Sequence, residues 1–359
     1  MSKTLSLNSP IIQAPLAGGG DTPALVAAVC NAGALGFIGA AYLSPTQIRE
    51  AGREVRAQTS QKFGINLFAP GKPPEPPRDP NTALQRVAPF FAELGLPAPS
   101  LPNSVADPFE EQLPAALETG ASFFSFTFGV LPENAIRTIK SQGMFLLGTA
   151  TTVEEALILE KAGVDAVVAQ GSEAGGHRGT FAADFSTGSI GTISLVPQVA
   201  DAVRIPVIAS GGIMDGRGIV AALALGASAV QMGTAFLTCH EAGAPECYKQ
   251  AITHAREDQT RVTRAFSGRP ARGIVNRFMT AVEKDSSPDA VLPFPLQNQL
   301  TRPLRTRAAQ QGQAELLSLW AGQGLRLARR QPAKQLIAQL KDEMETAMKS
   351  LHGPVSRVG

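Results

Sequence analysis

Over the first 240 residues, short apolar runs alternate with longer segments in which apolar positions recur every three or four residues. The runs are residues 11–14, 34–39, 63–68, 122–128, 144–149, 165–170, 206–210 and 229–233. Their apolar character is continuous rather than alternating, which predicts parallel strands buried on both faces. The intervening segments carry helix-start signals. Thr22-Pro23, Ser44-Pro45 and Pro132-Glu133 place proline at or near a first helical position. Thr151 or Thr152 is positioned to cap the helix over 153–162, with Glu154 and Glu155 at its positive end. Gly163 and Gly226 stop their helices before the next strand.

Eight strands with crossover helices predict an α/β fold of the TIM (β/α)8 barrel type. A doubly wound sheet is the alternative, but its glycine fingerprint is missing; Gly18-Gly19-Gly20 has the wrong spacing. Two regions break the rhythm. Residues 69–121 hold twelve prolines and read as an extended, polyproline-like excursion after the third strand, either a surface loop or part of a lid. Residues 240–323 read as a smaller helical domain inserted after strand eight, with turns at Gly268, Pro270, Pro293 and Pro295. The expected organisation is a barrel over 1–239, a helical substrate or lid domain over 240–323, and a C-terminal helix over 324–359 returning to the barrel. In that last segment Leu336, Ile337, Leu340 and Met344 form one apolar stripe.

Composition narrows the function classes. With 32 Lys plus Arg against 30 Asp plus Glu, the net charge of +2 favours neither nucleic acid nor an acidic membrane surface as partner. The N-terminus shows no apolar targeting core, and glycine, proline or a charge interrupts every long apolar stretch. Three cysteines, Cys30, Cys239 and Cys247, show no metal or disulfide spacing, so a cytoplasmic location and no metal are expected.

In this fold the chemistry sits where the strands end. Ala14, Pro15 and Leu16 follow the first strand and Asn66 lies near the end of the third. The sixth delivers Gln170, Gly175, Gly176 and His177, the seventh Gly211 and Gly212, and the eighth Gln231, Met232, Gly233 and Thr234. Glycines after strands seven and eight expose backbone N–H groups to a phosphate. Amides that both donate and accept suit a flat heterocycle such as a flavin. His177 is the one titratable group in the glycine-rich run and can move a proton or, charged, steady an anion. Among the other histidines, His240 stands nearest the expected site. Glu173 and Arg178 are candidates for an ion pair within the loop.

These motifs together resemble the nitronate monooxygenases, formerly grouped as 2-nitropropane dioxygenases. The likeness rests on residues 13–18, 33–39, 63–68, the run 170–179, residues 208–213 and 231–234, and more loosely on 293–297. It is closest to the bacterial class I type. It implies FMN in the barrel, contacted by the strand-end residues named above, and His177 as the active-site histidine. The implied reaction is oxidation of alkyl nitronates, chiefly propionate 3-nitronate, with O2, through a flavin semiquinone, to a carbonyl product and nitrite. That reaction would detoxify the nitronate. The chain departs from the family in having only Tyr42 and Tyr248, so Gln297, Asn298, Thr301 or a nearby arginine is expected to take over substrate contacts. The alternative is an NAD(P)H-dependent FMN reductase of the same superfamily, acting on an enoyl thioester or a quinone. Arg302, Arg305 and Arg307 would then face a carrier protein, or simply form a solvated helix face.

Overall fold

A computed structural model describes residues 5–71, 79–102, 107–285 and 287–352. Barrel strands are β1 (Ile11–Gln13), β2 (Phe37–Gly39), β3 (Gly64–Phe68), β4 (Phe123–Thr127), β5 (Phe145–Ala150) and β6 (Ala166–Gln170). After a two-residue strand β7 (Gly176–His177) come the last two, β8 (Val207–Ser210) and β9 (Ala229–Met232). All barrel pairings are parallel, in the order β1-β9-β8-β6-β5-β4-β3-β2. The ring is joined between its ends by Gln13 N–H to Leu35 O (2.8 Å) and Leu35 N–H to Ile11 O (3.1 Å). The Gln13 side chain reinforces the seam by accepting from Phe37 N–H at 3.0 Å. This closure excludes the doubly wound alternative.

Two apolar layers hold the barrel. Inside, Ile12, Leu35, Phe37, Phe145, Leu147, Val168 and Ile208 fill the strand axis. Gly64 leaves room for the Phe37 ring, since a Cβ there would sit 2.2 Å from a ring carbon. Outside, helix faces pack on the strands through residues such as Val26, Ile48, Leu159, Val196 and Ile219. Local signals agree with the helices that form. Ser44 and Gln47 make a reciprocal capping box, Thr22, Thr152 and Asp215 cap their helices, and Gly163 ends one in the left-handed region. The helix Ala333–His352 packs on the helices Pro23–Asn31 and Gly216–Ala224, burying Leu336, Ile337 and Leu340.

The interruptions differ from expectation. Within the proline-rich stretch, residues 72–78 and 103–106 lie outside the described residues, but Asn81–Glu93 and Phe109–Leu117 are helices rather than extended chain. Proline sits inside both helices, at Pro89 and Pro114, and buried Val87, Phe90 and Phe91 outweigh its cost. Residues 240–323 are not helical throughout. Strands β10 (Thr260–Thr263) and β11 (Ala271–Ile274) form a ribbon, and β7 joins its edge, giving a three-stranded antiparallel sheet. A second core combines Phe90 and Phe91 with Phe266, Phe278, Leu300 and Leu304. Among the described residues, no helix is long and apolar enough to cross a membrane.

Candidate active site

A cavity of about 650 Å3 opens where the barrel strands end and the second core covers them. Every strand-end residue nominated from sequence lines it: Ala14, Pro15, Leu16, Asn66, Gln170, Gly175, Gly176, His177, Gly211, Gly212, Gln231, Met232, Gly233 and Thr234. Each is placed by the end of its strand, and further bonds fix the connecting turns. The Asp21 carboxylate accepts from Leu16 N–H (2.5 Å) and Gly39 N–H (2.8 Å), tying the first turn to β2. Burial pushes the Asp21 carboxyl up to about 6, against the pull of those two bonds. Asn66 donates to Ser125 Oγ (2.9 Å).

The run after β6 is held from within. Gln170 donates to His177 O (3.0 Å) and accepts from Gly179 N–H (2.8 Å). Arg178 is 1% exposed and donates to the carbonyls of Gly171 (2.5 Å), Gln170 (3.1 Å) and Gly188 (3.1 Å). Glu173 instead accepts from the Thr192 N–H (2.8 Å) and hydroxyl (2.7 Å). The expected Glu173–Arg178 ion pair is therefore absent among the described residues: each group saturates a different piece of backbone.

His177 stands between the two cores. Its backbone pairs with Ala271 of β11, and its ring lies among Trp320 (5.5 Å), Phe128 (5.8 Å) and Phe294 (6.2 Å), centroid to centroid. Its Nε2 lies 2.8 Å from Ser267 Oγ. Burial foremost, then the Arg269 and Arg305 charges, push the imidazole down to about 3, so it is neutral near pH 7. Phe128 adopts φ +80°, an uncommon conformation for a bulky residue, with the Arg269 guanidinium 3.8 Å above its ring.

Another part of the cavity wall is cationic. Arg302 stands at the mouth, and Arg305 donates to Asn298 O (2.9 Å) and Oδ1 (2.7 Å). The buried Arg305 Nε and Tyr42 Oη have no hydrogen-bond partner among the described residues. No carboxylate lines the cavity among the described residues. Arg302 and Arg305 thus face the cavity rather than only a solvated helix face, while Arg307 lines an outer groove with Arg302. Both tyrosines line the cavity, and Tyr248 donates to Trp320 O (2.7 Å). Gln297 and Thr301 are spent inside the second core, on Leu292 N–H, Ala265 O and Phe266 O. His240 is exposed and does not line the cavity. The other wall that sequence reasoning missed is the return segment with Trp320, Gly322 and Gly324. Its signal was there: the chain's single tryptophan followed by a Gly-x-Gly.

The residues present fit a phosphorylated flavin. The volume is that of a ligand cavity. Gly211 (φ +125°) and Gly212 (φ +71°) turn the chain after β8 in a way L side chains resist. The Gly212 and Gly233 N–H groups find no backbone acceptor among the described residues. Thr234 Oγ accepts from Gly322 N–H (3.0 Å), which leaves its hydroxyl proton to donate. The Gln231 side chain makes no hydrogen bond to another described residue and lies on the cavity wall.

Comparison with known proteins agrees with this picture. A family model described as nitronate monooxygenase matches residues 1–343. A probable nitronate monooxygenase of Bacillus subtilis (strain 168) is 43% identical over 342 residues, covering 95% of this chain and 97% of the relative. One from Staphylococcus aureus (strain MSSA476) is 43% identical over 350 residues, covering 97% and 98%. Among solved structures, the nitroalkane oxidase of Streptomyces ansochromogenes superposes with a TM-score of 0.89 at 42% identity, over 96% of this chain and 98% of that one. FabK from Thermotoga maritima does so at 0.77 and 31%, over 97% and 96%.

Proposed function

The chain belongs to the nitronate monooxygenase family of flavin-dependent oxidoreductases, and from that premise we propose that it binds FMN and oxidises alkyl nitronates such as propionate 3-nitronate with O2, giving a carbonyl product and nitrite. FMN, when bound, supplies the electron-accepting centre. In this reading Gly212, Gly233 and Thr234 hold the phosphate, and Asn66, Gln170, Gly175 and Gln231 border the ring. The observation that carries the substrate assignment is the cationic wall. Among the described residues, Arg305 has a buried Nε without a partner, Arg302 stands beside it, and no carboxylate balances them in the cavity. A buried cation without a counter-charge calls for an anionic ligand. Propionate 3-nitronate carries two anionic ends, one for the arginines with Tyr42 and one for the redox centre. The arginines therefore do the anchoring, and neutral His177 serves as a hydrogen-bonding and proton-accepting group. Trp320, Phe128 and Phe294 pack round the imidazole and leave it partly open to the cavity. Three unpaired cysteines fit a reducing cytoplasm as the place of work.

The test is oxygen uptake and nitrite release by FMN-loaded protein given propionate 3-nitronate, with an anaerobic NADH or NADPH arm. Nitrite with O2 consumption and no bleaching by nicotinamide is the expected result. Rapid anaerobic bleaching without nitrite would favour the reductase alternative instead. His177→Asn is expected to keep FMN and to lower nitrite formation from a neutral nitroalkane at least about tenfold, the scale of losing a proton-transfer group.

A further inference from the structure

Ser267 is 1% exposed, so its hydroxyl is satisfied by protein alone. Three polar atoms surround Oγ: His177 Nε2 at 2.8 Å, Arg269 O at 3.0 Å and Arg269 N at 3.2 Å. A hydroxyl has one proton to give. Arg269 O is a pure acceptor, so the proton must point there; otherwise two oxygen lone pairs would face each other at 3.0 Å. Arg269 N–H donates to Oγ. What remains for His177 is to donate as well, which requires the proton on Nε2. The other nitrogen, Nδ1, makes no hydrogen bond among the described residues, is not occluded, and belongs to a side chain that lines the cavity.

We propose that Ser267 is a positioning residue that fixes His177 as its Nε2–H tautomer and thereby presents the Nδ1 lone pair to a neutral nitroalkane. This rests on the proposed function above and extends it to substrates that have not yet lost their α-proton. In the step, the α C–H bond breaks, the proton goes to Nδ1, and the bonding pair becomes the C=N bond of the nitronate. Nothing is oxidised at that stage. The Arg269 carbonyl is the reference point of the whole array. It belongs to the turn between β10 and β11, and its guanidinium is clamped on Phe128 and on the carbonyls of Arg178 (3.3 Å) and Thr180 (2.6 Å). The orientation of the histidine is therefore set by the second core, not by the barrel that delivers it. A nitroalkane that also carries a carboxylate would pair it with Arg305 and cancel one of the charges that now oppose protonation, so with such a substrate the imidazole becomes more basic.

Protein labelled with 15N-histidine and loaded with FMN tests this directly. The four histidines give four imidazole patterns in two-bond proton–nitrogen correlation spectra, and His177→Asn identifies the one that matters. The wild-type protein is expected to show a single Nε2–H pattern, Ser267→Thr to keep it, and Ser267→Ala to lose it. With Ser267→Ala, kcat/KM for nitroethane is expected to fall about tenfold or more, with a full primary deuterium isotope effect, against under about threefold for preformed ethylnitronate. An Nδ1–H pattern in the wild-type protein overturns the proposal, even if Ser267→Ala does not fold. So does an unchanged pattern in Ser267→Ala, or an equal loss on both substrates. Absence of nitrite from every substrate would instead overturn the monooxygenase reading and leave the tautomer measurement standing.

Discussion

His177 stands out in its glycine-rich run, and the glycines beside it announce a close ligand. Its protonation state was not legible, because burial under distant segments decides it first and the Arg269 and Arg305 charges next, and these residues, like its partner Ser267, come from 90 or more residues away. Arg305 itself sits in a basic helix, Leu296–Gln310, where nothing in the local pattern separates it from exposed Arg307. Replacing it by methionine keeps the stem and removes the charge. Arg305→Met is expected to raise KM for propionate 3-nitronate about tenfold with little change in kcat, and to change KM for ethylnitronate much less, as expected for loss of uniform binding. Steady-state kinetics on the two substrates checks this. Asp21 gives a pH test. Its folded value, about 6, lies above the ordinary carboxylate value of 3.8. Proton binding thus favours the folded state, and the burial cost appears as pH rises from about 4 through 6. Asp21→Asn keeps an acceptor for Leu16 and Gly39. It should raise the melting temperature at pH 7.5, corresponding to at most about 3 kcal/mol for a shift of this size, and have little effect at pH 4. A loss of stability at pH 7.5 would contradict it.

At the scale of elements, all eight barrel strands could be read, because burial on both faces makes each a continuous apolar run closed by a turn. Elements defined by a distant partner were invisible. The two residues of β7 have no periodicity and become a strand only by pairing with β11. The helix Asn81–Glu93 lies in proline-rich sequence and forms because Phe90 and Phe91 have Phe278 and its neighbours to pack on. Glu155 shows the same limit. Local pattern reads it as a helix N-terminal acid beside Glu154. In the structure it is fully buried and accepts from Thr151 N (2.7 Å), Thr151 Oγ (2.8 Å), Phe181 N (2.5 Å) and Ala182 N (2.9 Å). It thus pins the loop after β7 to the end of β5. Glu155→Leu leaves several donors unsatisfied at about 1–3 kcal/mol each. A loss of about 3 kcal/mol or more in urea unfolding is expected, with Glu155→Gln recovering part of it.

For the whole molecule, the barrel and the second core meet across backbone that has no room for side chains. A Cβ on Gly175 would lie 2.5 Å from Gly322 N, and one on Gly324 would lie 2.5 Å from Gly212 O. These contacts join the turns after β6 and β8 to the return segment that carries Trp320. The Gly322 N–H also reaches Thr234, so one segment braces three strand ends. The sequence made the barrel's glycines plain but could not show which of them serve the ligand and which serve this joint. Gly175 is nominated for the first role and meets the second through Gly322. The two uses are coupled: pushing the return segment away should open the cavity without unfolding the barrel, whose helices are packed elsewhere. Gly175→Val is therefore expected to weaken FMN retention at least about tenfold, a loss of about 1.4 kcal/mol, while the far-ultraviolet circular dichroism stays that of the parent. Flavin fluorescence titration measures the first and thermal scans the second. Parental FMN affinity in Gly175→Val would show that the return segment does not help close the flavin site.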